Sequence, residues 1–241
     1  MADALSRWPI VKQVIEERRA VRDFDDSDVD DGELREILAA ALLAPTSSNL
    51  QLFRLHVVKA PEKRAAVAAA CMSQRAARGA PVLIAVAACP GEGVASIAEQ
   101  SAALDGYAES PRSKQHARDH LRKIGSLVRF GPSSLWAPLL RFGSWFARWF
   151  RPVPLLPTGR RAFSWWAMRN SAFVAQTLML AAQARGYASC PMEGFDPARV
   201  RRALGLAAED VWLIIALGRR RADARIDLRW RRPFSTLVRM H

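Results

Sequence analysis

An α+β fold, with helices set against a central sheet, is predicted by three observations. Short β-type runs alternate with segments of helical period, and one of them, Ala80-Pro81-Val82-Leu83-Ile84-Ala85-Val86-Ala87, is continuous enough to be buried on both faces. No G-x-G-x-x-G turn and no Walker-type phosphate loop stands between a strand and a helix, so the alternation is not that of a dinucleotide-binding fold. With 241 residues, half of them hydrophobic, the chain can bury a large core, and residues 1–241 are expected to form one domain with an insertion at about 105–165.

The elements follow in order. Residues 7–20 read as a first helix. A second covers 31–43, where Leu34, Ile37, Leu38 and Leu42 recur at helical spacing behind the acidic run 25–31, and Pro45 ends it. Phe53-Arg54-Leu55-His56-Val57-Val58 has the alternating, β-branched look of a strand, and a helix at 61–77 separates it from the buried strand. The Ala-, Leu- and Met-rich run 170–185 reads as a core helix closed by Gly186, followed by a short strand at 187–190. Asp196 is placed to cap a helix beginning near Pro197, and 211–217 is the last clear strand.

The insertion breaks this pattern: Pro132, Pro138, Pro152, Pro154 and Pro157 punctuate a stretch rich in Trp and Arg. On a helical wheel of 139–151, Arg141, Ser144, Arg148 and Arg151 share a narrow face, and Phe142, Trp145, Phe146, Trp149 and Phe150 cover much of the rest. Such a helix requires a broad apolar contact. The protein's own body, a partner subunit, a substrate or a membrane headgroup region can each supply it, the last through residues 135–151.

The formal charge is +13, and its distribution is uneven: residues 105–165 hold eleven Lys/Arg against three Asp/Glu, and residues 219–241 hold eight against two. Patches of this kind attract phosphate, acidic lipid or nucleic acid. The nucleic-acid reading is the weakest, because the basic segments match no recognised module. Residues 1–10 contain no signal-like apolar run and no stretch reaches ~18 uncharged apolar residues, so a cytoplasmic protein is expected, with membrane association through the insertion as the variant. Cys71, Cys89 and Cys190 are odd in number and widely spaced, which argues for reduced, buried thiols. His116 and His120 share a helix face at a spacing that can bind zinc, but Arg118, Arg122 and Lys123 crowd it, and no metal is assigned. His56 reads as a structural residue.

Four segments carry the candidate site. Arg18 and Arg22 stand four apart near a helix end, where two guanidinium forks suit a phosphate; a solvated basic face paired with Glu16 or Glu17 is the competing reading. Pro45-Thr46-Ser47-Ser48-Asn49-Leu50-Gln51 is a polar loop that can line a heteroaromatic edge or serve as plain turn chemistry. Cys190-Pro191-Met192-Glu193-Gly194-Phe195-Asp196 joins a strand to a helix, with Gly194 allowing close backbone approach to a flat ligand. In Arg229-Trp230-Arg231-Arg232-Pro233, Arg229 and Arg231 point the same way on extended chain.

In order and spacing these segments resemble the nitroreductase-like family of FMN flavoproteins. The family's R-R-S-x-R stands as Arg18-Arg19-Ala20-Val21-Arg22, its A-P-S-S-x-N-x-Q as the loop from Ala44 to Gln51, its P-x-E-G-F-D as the turn from Pro191 to Asp196, and its K-x-R-x-P as Arg229 to Pro233. The resemblance covers 10–90 and 166–241 and implies a mixed or antiparallel sheet flanked by helices. It implies that Arg18, Arg22, Arg229 and Arg231 hold the FMN phosphate and the N1–O2 edge, with Arg19 and Ala20 also in the cofactor site, that Glu193 and Gly194 present backbone donors to N5 and O4, with Pro191 and Met192 beside them, and that Gln74 lies on the ribityl or pyrimidine side. Pro45, Thr46, Ser47 and Asn49 would come from a second subunit, with the flavin at a homodimer interface. The implied reaction is ping-pong: NADH or NADPH gives hydride to FMN, and an electron-poor aromatic, quinone-like or other small hydrophobic acceptor then takes it, with no catalytic acid or base required of the protein. A membrane-peripheral flavoprotein acting on a lipid-soluble substrate, and a flavin-binding protein without nitroreductase activity, stand as alternatives. Three departures bear on affinity: Ala20 replaces serine, Leu52-Phe53 replaces Pro-Trp, and Arg229 replaces lysine, each lost hydrogen bond counting for about 1 kcal/mol.

Overall fold

The computed structural model describes residues 2–108, 110–131, 133, 135–153 and 157–241; Pro132 and Pro154 of the insertion lie outside them. Four strands, β1 (Phe53–Val58), β2 (Val82–Ala88), β3 (Ala188–Met192) and β4 (Asp210–Gly218), form one sheet in the order β1-β2-β4-β3. Every pairing is antiparallel, which resolves the mixed-or-antiparallel expectation.

Alternation along the central strands builds a core on both sides. From β2, Leu83, Ala85 and Ala87 face one layer with Val67 of α3 (Pro61–Ala70), Ala76 of α4 (Arg75–Gly79) and Val200 of α9 (Pro197–Leu204). Val82, Ile84 and Val86 face the other, with Leu34 and Ile37 of α2 (Asp31–Leu42) and Val174 and Leu178 of α8 (Arg160–Ala184). All seven residues of β2 are buried, as its unbroken apolar run requires. Each large aliphatic side chain buried this way contributes about 1.5–3 kcal/mol.

Several expected boundaries move, each for a local reason. Helix α1 is Ala2–Glu17 rather than 7–20; residues 18–22 are extended instead, because buried Val21 docks beside β3, its N–H donating to Ser189 O at 3.1 Å. The helix expected at 61–77 is two helices, broken where Met72 and Ser73 take φ of 53° and 50°. The core helix begins at Arg160, ten residues early, since Phe163, Ala167, Asn170, Val174 and Leu178 continue one buried stripe. The insertion thus surrenders its last residues to α8. What remains contains two helices, α6 (Pro111–Phe130) and α7 (Ala137–Ala147), and before the insertion lies α5 (Gly93–Ala103), for which no element was expected. The short α10 (Phe234–Leu237) closes the chain. Val128 of α6 and Phe163 of α8 join Leu50 and Leu52 in a third apolar cluster that fixes the insertion to the body.

Edge strand β3 tolerates Pro191, which has no N–H to donate. Gly186 ends α8 with φ +76°, and Tyr187 N–H returns to Ala182 O at 2.9 Å. Asp196 caps α9 as expected, accepting from Ala198 N at 2.9 Å and Arg199 N at 3.1 Å.

Candidate functional site

Two chain segments two hundred residues apart form a basic cluster. Because 18–22 is extended, Arg18, Ala20 and Arg22 fall on one side by the two-residue period of a strand, a convergence reached without a helix. Arg229 Nη2 donates to Arg18 O at 2.8 Å, and Arg19 donates to Asp227 O. Arg18, Arg19, Ala20, Arg22, Arg229 and Arg231 line a cavity of about 170 Å³. The Arg18 guanidinium lies below its ordinary pKa, first because it is partly buried and then because Arg229, Arg231 and Arg19 crowd it. Arg22 is otherwise engaged, pairing with Asp227 Oδ2 at 2.7 Å. Glu16 and Glu17 bind Lys12 and Gln13 in place of Arg18 and Arg22.

Behind this cluster lies Cys190, buried and free like Cys71 and Cys89. Burial raises its thiol pKa, and Arg22 and Arg18 oppose that rise. Burial pushes Cys71 to about 11 and Cys89 to about 12, so none is a ready thiolate.

The chain turns sharply after β3: Phe195 N–H bonds back to Glu193 O at 3.0 Å around Gly194. Gln74 Nε2 donates to Gly194 O at 2.6 Å, uniting two predicted residues. A Cβ on Gly194 would stand 3.3 Å from Met72 Cε and 3.4 Å from Gln74 Nε2, so the turn is closely lined by these two side chains. Sequence reasoning missed Met72 and Ser73, whose left-handed backbone brings Gln74 to this turn; strained conformations of this kind gather at functional sites. Pro191 and Met192 are the last residues of β3, and Met192 packs in the core.

The loop 45–51 is ordered from outside itself. Ser47 N–H donates to Asn170 Oδ1 at 2.7 Å, Gln51 N–H to Thr46 Oγ1 at 3.2 Å, and Gln100 Nε2 to Asn49 O at 3.0 Å. Ser48, Asn49 and Gln51 all have positive φ, near 50°. His120 Nε2 lies 3.1 Å from Ser48 Oγ, which binds α6 to this loop. Among the described residues no hydrogen bond links Pro45, Thr46, Ser47 or Asn49 to the arginine cluster of the same chain. Asn170 was missed as an anchor because a polar residue at the start of an apolar run reads as a helix boundary.

A large cavity of about 980 Å³ lies between α7, α8 and the turn at Glu193. Its walls include Trp145, Trp166 and Trp212, and Arg141, Arg148 and Arg169 project onto it. Trp212 occupies a β-bulge, opposite the step from Val86 to Ala87, and its Nε1 donates to Ser171 Oγ at 2.8 Å. A bulge re-aims a side chain in this way, and no sequence signal marks it. The polar face of α7 borders this cavity, whereas Phe142 and Phe146 of α7 and Trp149 and Phe150 just beyond its end at Ala147 are 64%, 54%, 74% and 76% exposed. Within this chain, therefore, the apolar contact expected for the helix is not made by the protein's own body.

His56 is structural as expected: it meets Glu209, which also accepts from Arg54 Nη1 at 2.6 Å.

Comparison with known proteins agrees with this architecture. The pattern of the Nitroreductase family matches residues 15–219, and the chain belongs to that family, a class of oxidoreductases. A curated protein of Thermus thermophilus named "NADH dehydrogenase" is 29% identical over 202 residues, covering 83% of this chain and 82% of its own. The crystal structure of ydfN from Bacillus subtilis superposes with a TM-score of 0.75 at 20% identity, covering 95% of this chain and 98% of the other. An Exiguobacterium sibiricum protein solved in complex with FMN gives a TM-score of 0.65 at 21% identity, covering 96% and 97%. These two structures support the fold. No helix among the described residues is long and apolar enough to cross a membrane.

Proposed function

We propose that this nitroreductase-family oxidoreductase is an FMN-dependent enzyme that takes electrons from NADH or NADPH and reduces an electron-poor aromatic or quinone-like small molecule. The observation that carries the reading is Arg18, partly buried and crowded by Arg229, Arg231 and Arg19, a group of charges that a phosphate would neutralise. The residues present fit FMN: Gly194 offers an N–H with no acceptor among the described residues, at a turn lined by Met72 and Gln74. Arg18, Arg229 and Arg231 would hold its phosphate or ring edge, and Glu193, Gly194 and Gln74 would border its redox face. Bound FMN supplies two-electron chemistry between the nicotinamide and the acceptor. The chain's own contribution is to fix the phosphate by charge, orient the ring by backbone donors, and present Trp166 and Trp212 as walls of the cavity on the Glu193 side. The FMN-bound Exiguobacterium sibiricum structure and the name of the Thermus thermophilus relative favour the same reading.

A homodimer with one site at each interface is part of the proposal. The 45–51 loop is built and exposed but remote in bonding from its own chain's arginines, as a loop serving the partner's site would be. A second reading, a flavoprotein resting on a membrane surface in or from the cytoplasm, is favoured by the exposed aromatic face of α7.

The test is the visible spectrum of the purified protein, followed anaerobically as NADPH and then NADH are added. Bands near ~450 nm that bleach support the reading; a colourless protein that takes up no FMN ends it. Sedimentation with anionic liposomes separates the membrane reading, and light scattering on a sizing column tests the dimer.

A further inference from the structure

We propose that the cavity beneath α7 selects acceptors whose flat ring bears an anionic group, carboxylate, sulfonate or phosphate, held by Arg148 and Arg169. The proposal rests on the reading of the Glu193–Gly194 turn as the border of the redox face.

The orientation of α7 is the first argument. A helix with one basic and one aromatic face gains most by burying the aromatics, yet here Arg141, Ser144 and Arg148 line the cavity with Trp145 while Phe142 and Phe146 face out. The second is a surplus of positive charge: Arg141, Arg148 and Arg169 line the cavity against one carboxylate among the described lining residues, Glu193. Arg141 is spoken for, donating from Nε to Thr158 Oγ1 at 2.9 Å. The side chains of Arg148 and Arg169 make no ion pair or hydrogen bond among the described residues. Nor does the local sequence offer a carboxylate: between Asp119 and Glu193 there are ten Lys/Arg and no Asp or Glu. Elsewhere the chain pairs its arginines freely, as Arg54 with Glu92 and Glu209, or Arg118 with Asp105. The third argument is shape. Trp145, Trp166 and Trp212 give flat walls, Trp212 is pinned through its Nε1, and about 980 Å³ has room for a fused ring with a substituent. Guanidinium groups grip carboxylates and sulfonates through paired N–H donors while tryptophan faces stack the ring.

For a quinone of this class the assigned reaction balances as quinone plus NAD(P)H plus one proton giving hydroquinone and NAD(P)+. The two electrons and one hydrogen come from the nicotinamide through the bound flavin, and the second proton from solvent. An anion on the ring and the extra phosphate of NADPH share the same chemistry, so the experiment must separate acceptor from donor.

The experiment is calorimetric titration of the purified full chain, supplemented with FMN, with 2-naphthoate and its neutral counterpart 2-naphthamide, neither of which is reduced. The expected result is naphthoate binding at least tenfold tighter than the amide, the ratio falling about tenfold in Arg148→Gln and in Arg169→Gln. Arg148→Lys should recover part of it and Arg148→Glu reverse it. In turnover, the kcat/KM ratio of 1,4-naphthoquinone-2-sulfonate to 1,4-naphthoquinone should fall in parallel. Equal binding of acid and amide, or equal losses for both probes in the variants, overturns the proposal. So does an effect of Arg148→Gln confined to the rate of flavin reduction by NADPH relative to NADH, which would assign the anion to the donor. Failure of the protein to hold FMN or to be reduced would defeat the redox reading while leaving the naphthoate titration interpretable.

Discussion

Arg54 and Arg18 are both half-buried arginines near other cations, and they have opposite fates. Arg54 shares Glu209 with His56 and reaches Glu92 at 2.9 Å, so that corner of the sheet is electrically closed. Arg18 has Arg19, Arg229 and Arg231 for neighbours, and the one carboxylate in its cavity, Asp227, is taken by Arg22 and Arg225. The same residue type thus does structural work where the chain supplies an acid and is left poised for a ligand where it does not. Charge alone, read along the sequence, cannot distinguish the two; only the position of carboxylates in space can.

The sharpest way to break this comparison is to supply the missing acid. Arg229→Glu should weaken FMN binding by about a hundredfold, as loss of charge-assisted bonds of about 1.5–3 kcal/mol together with a new repulsion implies, measured by flavin fluorescence quenching. Undiminished affinity would show that the cluster is no phosphate site. Asn170→Ala should destabilise the fold by about 1–3 kcal/mol in urea unfolding, because Ser47 N–H loses its partner, and should disorder the 45–51 loop in hydrogen exchange. Glu209→Gln should cost about 1 kcal/mol at neutral pH, given that Arg54 is half exposed. Burial opposes ionisation of Glu209, but the bonds from Arg54 and His56 outweigh it and hold its pKa below the usual carboxylate range. Its stabilisation is therefore complete above that range and lost as pH falls through the lowered value, so wild type and variant should converge in acid. Convergence at alkaline pH instead would refute the assignment. The smallest effect is expected at Ser189, whose buried Oγ has no hydrogen-bond partner among the described residues: Ser189→Ala should change stability by no more than about 0.5 kcal/mol.

The fold was legible where one signal dominated. The unbroken run of β2, the Gly186 stop and the Asp196 cap each depend on a few adjacent residues, and each is where the sequence puts it. The 61–77 region was misread because alanine-rich composition favours helix throughout, and only the docking of Asp196 N–H on Ala70 O reveals why the chain turns there. In the site, the motifs singled out Arg18, Gly194 and Arg229, Gln74 came from the family resemblance alone, and the structure joins Gln74 to Gly194 and Arg229 to Arg18 by contacts that span up to 211 residues. It did not reveal Trp212, re-aimed by a bulge, or the inward face of α7, because amphipathicity names two faces without saying which is buried.

The stretch from Arg219 onward has one consequence for handling the protein. It is almost wholly exposed, with only Ala224 and Ile226 partly covered, and it lies beyond the end of the family pattern at residue 219. Residues 219–221 are held by backbone bonds to Asp23 and Asp25, but farther on the attachment runs through Asp227 and Arg229 to Arg18, Arg19 and Arg22, so this part of the tail and the ligand should lock one another down. A trypsin digest would read that coupling directly: rapid clipping after Arg225 to Arg232 in the flavin-free protein, and resistance once FMN is added.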